Sequence, residues 1–315
     1  MEEKAPRIAV LIPCYNEAIA IGTVVDDFRK VLPEARIIVF DNNSTDGTGQ
    51  VARLHGAEVR VEKQQGKGNV VRSMFARVEA DIYLMVDGDA TYDADAAPAL
   101  IDRLLQEGLD LVIAARVTST PGAYRPGHQF GNWVLTKLTA LIFRQRFTDI
   151  LSGYRIMSRP FVKSFPAHAT GFDTEVEIAA HAAELRVGVA ELPAAYISRT
   201  AGSHSKLSTF RDGWRILRTI VRMTKDNKPM AFFSAGAAIS VVVALVLAAP
   251  IVETYVSTGL VPRLPTAVLS ASLVLLGSIL MACGLVLETV TLGRREQKYA
   301  AYLAYSASCC SGKSR

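Results

Sequence analysis

Two aspartates separated by one glycine follow a strongly apolar run in the first third of the chain. Residues 86–93 read VDGDATYD, so Asp87 and Asp89 come directly after the apolar run at residues 82–86. Crowded carboxylates raise one another's pKa unless a cation lies between them. Mg²⁺ and Mn²⁺ prefer such hard oxygen ligands and usually complete their coordination with substrate phosphates. The spacing therefore predicts a Mg²⁺ or Mn²⁺ site held by Asp87 and Asp89.

Two further polar stretches have residue types suited to a nucleotide. In DNNSTDGT, at residues 41–48, Asp41 ends an apolar run, and its carboxylate could accept hydrogen bonds from a base or a ribose. Thr45 or Asp46 is expected to cap the helix that follows. In QQGKGN, at residues 64–69, Lys67 lies between two glycines that allow close approach of the backbone to a ligand. An ordinary turn before a helix is the alternative interpretation of this stretch.

The elements that must position these residues alternate between strand and helix. Apolar runs of strand length are separated by helical patterns, for example at residues 19–31 and 94–106. The predicted strands are Ile8–Ile12, Ala35–Phe40, Glu58–Val61, Ile82–Val86 and Leu109–Ala114. This alternation predicts a doubly wound α/β fold with a mostly parallel sheet, in which ligands bind beyond the carboxyl ends of the strands. The polar stretches after the first, second and fourth strands should therefore meet in one crevice.

The last third of the chain has a different composition. Residues 229–252 and 264–287 contain no Asp, Glu, Lys, Arg or His. A helix of this length measures ~36 Å, enough to cross a ~30 Å hydrocarbon core. The short link between the two runs predicts a transmembrane hairpin. Lysines and arginines flank both of its outer ends, so the positive-inside rule places these ends and the N-terminal domain in the cytoplasm.

The net charge of +5 comes from one segment. Residues 199–228 contain eight basic and two acidic side chains, and from residue 211 the basic ones recur at intervals of four and three. Such spacing predicts a helix with one basic face, which suits contact with lipid phosphates at a membrane surface. A solvated basic face or a nucleic-acid contact is the alternative. The adjacent membrane spans argue against nucleic acid as a partner.

Six motifs, taken together and in order, resemble the family-2 glycosyltransferases, in particular the branch similar to dolichol-phosphate mannose and glucose synthases. The motifs are PCYNE, DNNSTDGT, GKGN, VDGDATYD, TDILSGYRIMSR and SHSKL, and they cover roughly residues 7–210. The resemblance implies a GT-A fold, a nucleotide-sugar donor, a divalent metal and transfer with inversion.

The resemblance also implies roles for single residues of the donor site. The residues that would line the nucleotide-sugar pocket are Pro13, Tyr15, Glu17, Asp41, Lys67 and Asp87. Asp87 would lie near the ribose and the metal, and Asp89 would bind the metal and be essential for catalysis. Relatives can carry a glutamine as a further ligand two positions after the second aspartate. Thr91 stands at that position here, so the third metal ligand stays open.

On the acceptor side, the resemblance assigns the acceptor phosphate to Arg116, Ser152, Arg155 and Lys206. Arginine suits bidentate phosphate binding, and lysine acts as a point charge. Arg155 is also a candidate catalytic residue, although an ion pair with Asp149 would be a purely structural alternative. Asp149 is the nearest match to the general base of some family members. An ionised phosphate oxygen, however, is already a nucleophile and needs no strong base. Glu175 and Glu177 either face the acceptor or, as we prefer, lie on an amphipathic helix.

The predicted organisation has four parts. They are a GT-A glycosyltransferase domain at 1–205, a basic amphipathic interfacial helix at 206–228, a transmembrane hairpin at 229–292 with spans about 231–252 and 264–287, and a cytoplasmic tail at 293–315. We expect an integral protein of an inner, plasma or ER-type membrane. Its predicted reaction is the metal-dependent transfer of a sugar from a UDP- or GDP-linked donor to an undecaprenyl- or dolichyl-type phosphate on the cytoplasmic face. Assembly of copies of the chain through the hairpin stays open.

Three alternatives to this function remain. A processive polysaccharide synthase would share the sheet domain but normally carries a Q-x-x-R-W motif, which this sequence lacks. A membrane-anchored enzyme could instead transfer the sugar to a protein or a soluble glycan. A non-catalytic scaffold that binds nucleotide sugars would not need the Asp87–Asp89 pair.

Overall fold

The computed structural model describes residues 5–117, 148–167, 174–197, 221–222 and 224–311. Within these ranges the chain forms two compact units. We call Met1–Ile216 together with Gln297–Arg315 the sheet unit, and Leu217–Glu296 the hairpin unit. Most of the predicted interfacial helix at 206–228 lies outside the described residues, as does Lys206.

The described part of the sheet unit is built on seven strands in the order β3-β2-β1-β4-β6-β5-β7. The strands are β1 (Ile8–Cys14), β2 (Arg36–Asp41), β3 (Glu58–Val61), β4 (Ile82–Met85), β5 (Leu111–Val117), β6 (Arg155–Ser158) and β7 (Val189–Ala195). β1 pairs in parallel with β2 and β4. β3 pairs in parallel with β2, and β7 pairs in parallel with β5. β6 is antiparallel to both of its neighbours. The predicted mostly parallel sheet is confirmed, with one reversed strand that the sequence analysis did not predict.

Helices connect these strands. They are α1 (Ile21–Val31), α2 (Thr48–Leu54), α3 (Lys67–Arg77), α4 (Ala97–Gln106), α5 (Arg159–Ser164) and α6 (Thr174–Leu185). The central strands are almost wholly buried, as their continuous runs of Val, Ile and Leu predict for a sheet covered on both faces. Because β2, β1 and β4 are adjacent and parallel, the loops that follow them emerge at one edge. This edge positions the predicted site.

The hairpin unit contains α7 (Pro229–Thr258) and the first part of α8 (Leu264–Ser311). Gly259, with φ of 70°, ends α7 in the left-handed conformation that glycine tolerates best. The best 18-residue windows of the two helices have mean hydropathies of 2.5 and 2.2, so both are long and apolar enough to cross a membrane. Both helices extend beyond the predicted spans. Within the predicted tail, α8 continues to Ser311.

The end of α8 belongs to the sheet unit. Lys298 forms an ion pair with Glu184 at 2.6 Å, and the Tyr302 hydroxyl donates to Asp110 at 3.0 Å. The Arg159 guanidinium lies 5.7 Å from the centre of the Tyr305 ring. The predicted tail therefore supplies an ordered helical segment that packs within the sheet unit.

Small residues recur every seventh position where α7 and α8 meet in the hairpin unit. On α8 the series is Ser270, Gly277, Gly284 and Thr291, and on α7 it includes the buried Ala237 and Ala244. The Ser270 hydroxyl donates to the carbonyl of Ala244 at 2.8 Å. Heptad spacing and small side chains let two helices pack closely in lipid, where no hydrophobic effect drives their association.

We expect Gly284→Leu to destabilise this hairpin by about 1–3 kcal/mol, because overpacking a close contact forces neighbouring groups apart. A Cβ at Gly284 would lie 3.0 Å from Phe233 Cβ and 3.5 Å from Met230 Cα. Thermal unfolding of the purified chain in detergent measures the effect. Gly293→Leu is the matched control on the same helix, since a Cβ there meets nothing within 4 Å. Equal thermal stability of the two variants would contradict the packing.

Candidate active site

The carboxyl ends of β1, β2 and β4 and the loops that follow them carry four carboxylates whose charges act on one buried thiol. Cys14 is 3% exposed. Burial raises the pKa of its thiol well above the usual value, and the charges of Glu17, Asp41, Asp87 and Asp89 raise it further. Electrostatic influence from all three loops on one atom means that the polar stretches converge, as the sequence predicts. A Cβ at Gly88 would lie 2.5 Å from Cys14 Sγ, so the loop after β4 needs a glycine there.

Hydrogen bonds tie the first two loops together. The Glu17 amide donates to Thr48 Oγ1 at 2.9 Å, and the Ala18 amide donates to Asp46 Oδ2 at 3.0 Å. Partial burial would raise the pKa of Asp46, but hydrogen bonds from Thr48 and Ala18 outweigh this and lower it. Gly47 holds the N-cap position of α2, one residue after the predicted cap Asp46. Asp46 Oδ1 still accepts the amide of Thr48, the first residue of α2, at 3.0 Å.

The residues predicted for the nucleotide lie along this edge. Pro13 is in β1, and Tyr15 in the following loop is 37% exposed. Asp41 ends β2 and accepts a hydrogen bond from the Ser44 amide at 3.0 Å. A Cβ at Gly49 would lie 2.9 Å from Asp41 Oδ2, so a side chain there would displace the carboxylate. The fold brings these residues together, and their contact with a nucleotide stays a prediction.

The loop of Asp87 and Asp89 has a strained backbone. Ala90 has φ of 56°, and Asn16 and Asn43 in the two neighbouring loops also have positive φ. Alanine in this conformation costs roughly 1–2 kcal/mol, and such residues cluster at functional sites. Asp89 is 5% exposed and accepts a hydrogen bond from Thr91 Oγ1 at 2.6 Å. The strained turn and this bond fix the direction of the Asp89 carboxylate.

These oxygen ligands suit a hard divalent cation. Thr91, at the position of the open third ligand, is buried and its hydroxyl is engaged by Asp89. Among the residues that the structure describes, no group of three or more His, Cys, Asp or Glu side chains could hold a metal. The two aspartates therefore fit a Mg²⁺ or Mn²⁺ that takes its remaining ligands from water and from a substrate diphosphate.

Lys67 lies between two carboxylates. Its Nζ is 2.6 Å from Asp87 Oδ1 and 2.5 Å from Glu175 Oε1. Burial would lower the pKa of this ammonium, but the charges of Asp87 and Glu175 outweigh burial and raise it. Glu175 is 4% exposed at the start of α6, and α6 is buried along most of its length. The preferred placement of Glu175 on an amphipathic helix is therefore wrong.

The SGYR motif packs directly against the aspartate loop. A Cβ at Gly153 would overlap the carboxylate of Asp87, so a larger residue there would displace it. The amide of Gly153 donates to the Tyr92 hydroxyl at 2.8 Å. The Ser152 hydroxyl is fully buried and donates to the carbonyl of Ala114 at 2.6 Å. This placement gives Ser152 a structural role and speaks against the predicted contact with an acceptor phosphate.

Arg155 is fully buried at the start of β6. Its guanidinium donates to the carbonyls of Ile150, Ser152 and Glu175 at 2.5, 2.9 and 2.7 Å. These bonds join the SGYR loop to α6. They favour a structural role for Arg155 over the predicted catalytic role and phosphate contact, and they differ from the alternative ion pair with Asp149.

Asp149 instead pairs with Arg116. Arg116 Nε is 2.6 Å from Asp149 Oδ2, and Arg116 Nη2 is 2.7 Å from Oδ1. Burial would raise the pKa of Asp149, but the hydrogen bonds and charge of Arg116 outweigh burial and lower it. A carboxylate with a lowered pKa is a weak base near neutral pH. This placement speaks against Asp149 as general base, and it commits Arg116, the predicted phosphate ligand, to a neighbouring carboxylate.

We expect Arg116→Ala to destabilise the chain by about 3–5 kcal/mol at neutral pH, because it leaves the buried Asp149 charge without its partner. The pKa of Asp149 is lowered in the folded chain. The Arg116–Asp149 pair therefore contributes its full stability above the unfolded pKa of about 3.9, and this contribution is lost as the pH falls through the folded pKa. The difference in stability between Arg116→Ala and the unmodified chain should shrink over the same pH range. Thermal unfolding from pH 7 into acid measures both. Arg7→Ala, which breaks an exposed pair with Asp81, should cost less than about 1 kcal/mol. Equal losses for the two variants would contradict this prediction.

Comparison with known proteins gives a consistent result. The family described as "Glycosyl transferase family 2" matches residues 9–165. The chain is 34% identical to "Glycosyltransferase AglJ" of Haloferax volcanii over 292 residues, which is 92% of this chain and 95% of that protein. It is 27% identical to the "Dolichyl-phosphate hexose transferase" of the same organism, over 70% of this chain and 95% of the relative.

A solved structure shares the fold. It is glucosyl-3-phosphoglycerate synthase from Mycobacterium tuberculosis, in complex with Mn²⁺, uridine diphosphate and glucosyl-3-phosphoglycerate. The TM-score is 0.58 at 23% identity, over 70% of this chain and 80% of that one. The sheet topology, the converging aspartate loops and these relatives agree with the motifs in the sequence. The chain belongs to glycosyl transferase family 2.

Proposed function

We propose that this glycosyltransferase moves a sugar, with inversion, from a nucleoside-diphosphate sugar to a polyprenyl phosphate on the cytoplasmic face of a membrane. The observation that carries the proposal is that one chain contains both the Asp87–Asp89 crevice and two helices long and apolar enough to cross a membrane. A relative named dolichyl-phosphate hexose transferase, matched over 95% of its length, supports the lipid acceptor.

The donor occupies the edge formed by the loops after β1, β2 and β4. Tyr15 and Asp41 contact the nucleoside, and Lys67 lies close enough to Asp87 to reach the diphosphate. Asp87 and Asp89 hold Mg²⁺ or Mn²⁺, which when bound supplies positive charge to the departing diphosphate. The solved synthase with a similar fold was crystallised with Mn²⁺ and uridine diphosphate, which supports this part of the proposal.

The acceptor needs positioning more than activation. A phosphate oxygen is anionic near neutral pH and can attack the sugar without a strong base. The engagement of Asp149 by Arg116 agrees with a reaction in which no carboxylate takes a proton. The chain's contribution is then to hold acceptor and donor in line. Lys206 stays a proposed contact of the acceptor phosphate.

The hairpin tethers the enzyme to the bilayer that contains the acceptor. Apolar side chains such as Ile239, Val246 and Leu275 are more than half exposed on the helices, which suits contact with lipid tails. Arginines and lysines outside both spans favour a cytoplasmic catalytic unit. The division into four parts stays a proposal, and the end of the proposed tail belongs to the sheet unit.

One incubation tests the proposed function. Membranes containing the chain are given polyprenyl phosphate and a panel of labelled UDP- and GDP-sugars, with and without EDTA. We expect a labelled lipid that carries negative charge, formed with one donor and absent with EDTA. Label in protein or in a water-soluble glycan would support the alternative acceptors and contradict ours. Donor binding without any transfer would support the scaffold alternative.

A further inference from the structure

One ion cluster in the sheet unit has a composition that packing alone does not explain. Lys67, the first residue of α3, lies between Asp87 and Glu175, with its Nζ at 2.6 and 2.5 Å from them. Burying charged groups is costly, and a buried ion pair seldom gains stability over well-packed apolar side chains. The charge of the buried Arg155 also acts on Glu175 and Asp87. Among the described cations, however, only the Lys67 ammonium is within ion-pair distance of both carboxylates. A lysine shared between two carboxylates therefore invites a functional explanation.

Both ends of the cluster are fixed by backbone contacts. The amide of Gly66, which precedes Lys67, donates to Asn42 Oδ1 at 2.7 Å. The carbonyl of Glu175 accepts from Arg155 Nη1 at 2.7 Å. These bonds fix the backbone before Lys67 and the backbone at Glu175, so the flexible Lys67 side chain lies between two anchored elements.

A cation in contact with Asp87 competes with any second cation for that carboxylate. Lys67 neutralises Asp87 in the chain as it stands, which lowers the repulsion between Asp87 and Asp89. A divalent metal that binds Asp87 must displace the ammonium or share the carboxylate with it. Glu175 offers the ammonium another partner, and its negative charge also attracts the metal.

We infer that Glu175 is a positioning residue that sets the metal affinity of Asp87 by drawing Lys67 away from it. When metal and donor diphosphate bind, the Lys67 ammonium moves from Asp87 toward Glu175 and the diphosphate. Lys67 thus neutralises Asp87 before the metal binds and contacts the diphosphate afterwards. This inference rests on the proposed function, since it assumes that Asp87 binds a divalent metal.

The inference predicts opposite effects for two neutral substitutions. Lys67→Met removes the competing cation and should tighten the binding of Mn²⁺ by about tenfold or more. Glu175→Gln leaves Lys67 wholly on Asp87 and should weaken the binding of Mn²⁺ by a similar factor. The purified full chain in detergent is titrated with Mn²⁺ alone. The electron paramagnetic resonance signal of free Mn²⁺ gives the concentration of unbound ion, and hence the affinity, at each step. Lys63→Met and Glu107→Gln remove exposed charges and are the matched controls.

A double variant keeps the test decisive if Lys67→Met does not fold. Lys67→Met with Glu175→Gln leaves residue 175 without an ammonium to position, so its Mn²⁺ affinity should approach that of Lys67→Met, about tenfold tighter than in the unmodified chain. A return to the affinity of the unmodified chain would show that the two charges act independently and would overturn the positioning role. Recovery beyond the affinity of the unmodified chain supports the inference. Shifts of the same sign in both single variants, or no recovery in the double variant, would overturn it.

The Mn²⁺ titration contains no donor and no acceptor, so its result is independent of the result of the lipid assay. Mn²⁺ binding that ignores both substitutions overturns the inference and leaves sugar transfer to a lipid standing. Failure of the lipid assay with the predicted Mn²⁺ shifts would overturn the acceptor and leave the role of Glu175 standing. A chain that binds no Mn²⁺ at all would overturn the inference and the metal part of the proposed function together.

Discussion

Asp89→Asn is expected to lower the rate of sugar transfer by about 1,000-fold, since several kcal/mol of charge stabilisation on the leaving diphosphate would be lost. The substitution is nearly isosteric, and the asparagine Oδ1 can still accept the hydrogen bond that Thr91 donates to Asp89. The fold should therefore survive. Initial rates of labelled lipid formation, measured with purified chain and saturating Mn²⁺, give the effect.

Asp93→Asn is the matched control in the same eight-residue stretch. Asp93 caps a short 3₁₀ helix by accepting the Asp95 amide, and asparagine serves this role as well as aspartate. We expect it to change the rate by less than about twofold. Near-normal transfer by Asp89→Asn, or an equal loss in both variants, would remove Asp89 from the metal site.

Gly153→Ala should lower kcat/KM by about 100-fold, because a methyl group there would push the Asp87 carboxylate out of place. A misplacement of about 1 Å at a reacting centre can cost this much. Overpacking should also cost about 1–3 kcal/mol of stability. Titration of the variant with Mn²⁺ should show weakened binding, which separates a displaced Asp87 from a general loss of fold.

Gly108→Ala is the control for this substitution. Gly108 has φ of 61° and lies after α4, where a Cβ would meet nothing within 4 Å. Its replacement strains the backbone by roughly 1–2 kcal/mol without touching the site. We expect Gly108→Ala to lower thermal stability and to leave kcat/KM within about twofold. If both glycine variants lose activity in proportion to their loss of stability, the activity loss of Gly153→Ala does not come from displacement of the Asp87 carboxylate.

β1, β2, β4 and β5 are predictable from the sequence because each contains an unbroken apolar run, while β3 shows the alternation EVRV. β1, β2, β3, β4 and β5 lie within a few residues of their predicted bounds. β6 and β7 lack such a signal. β6 has four residues and begins with Arg155, while β7 contains Glu191 and Pro193. Proline is tolerated there because β7 ends the order of the described strands.

The sequence predicts the part of the site that lies on loops directly after neighbouring parallel strands, because strand order alone brings these loops together. Asp41, Asp87 and Asp89 follow neighbouring parallel strands, so topology alone brings them to one edge. Glu175 reaches the same place from α6, 88 positions after Asp87 in the sequence. A single sequence has no local pattern that pairs it with Lys67. Arg155 was singled out for the acceptor phosphate, but its structural role was not predicted, because its partners are backbone carbonyls that any residue provides.

The contact face of the hairpin is encoded in the sequence by residue size. Hydropathy predicts the two spans, and the stretches 229–252 and 264–287 have no charged side chain on any face. Small residues at seven-residue intervals mark the contact face instead. Inspection of the spacing of glycine, alanine and serine along residues 229–291 would have identified it.

The central claim is that Asp87 and Asp89 hold a divalent cation together with the donor diphosphate. Anomalous scattering from crystals of the chain grown with Mn²⁺ and a nucleoside diphosphate tests it directly. The account predicts one manganese peak within about 2.5 Å of a carboxylate oxygen of each aspartate, in contact with the diphosphate. A bound diphosphate with no manganese at these two carboxylates would contradict it.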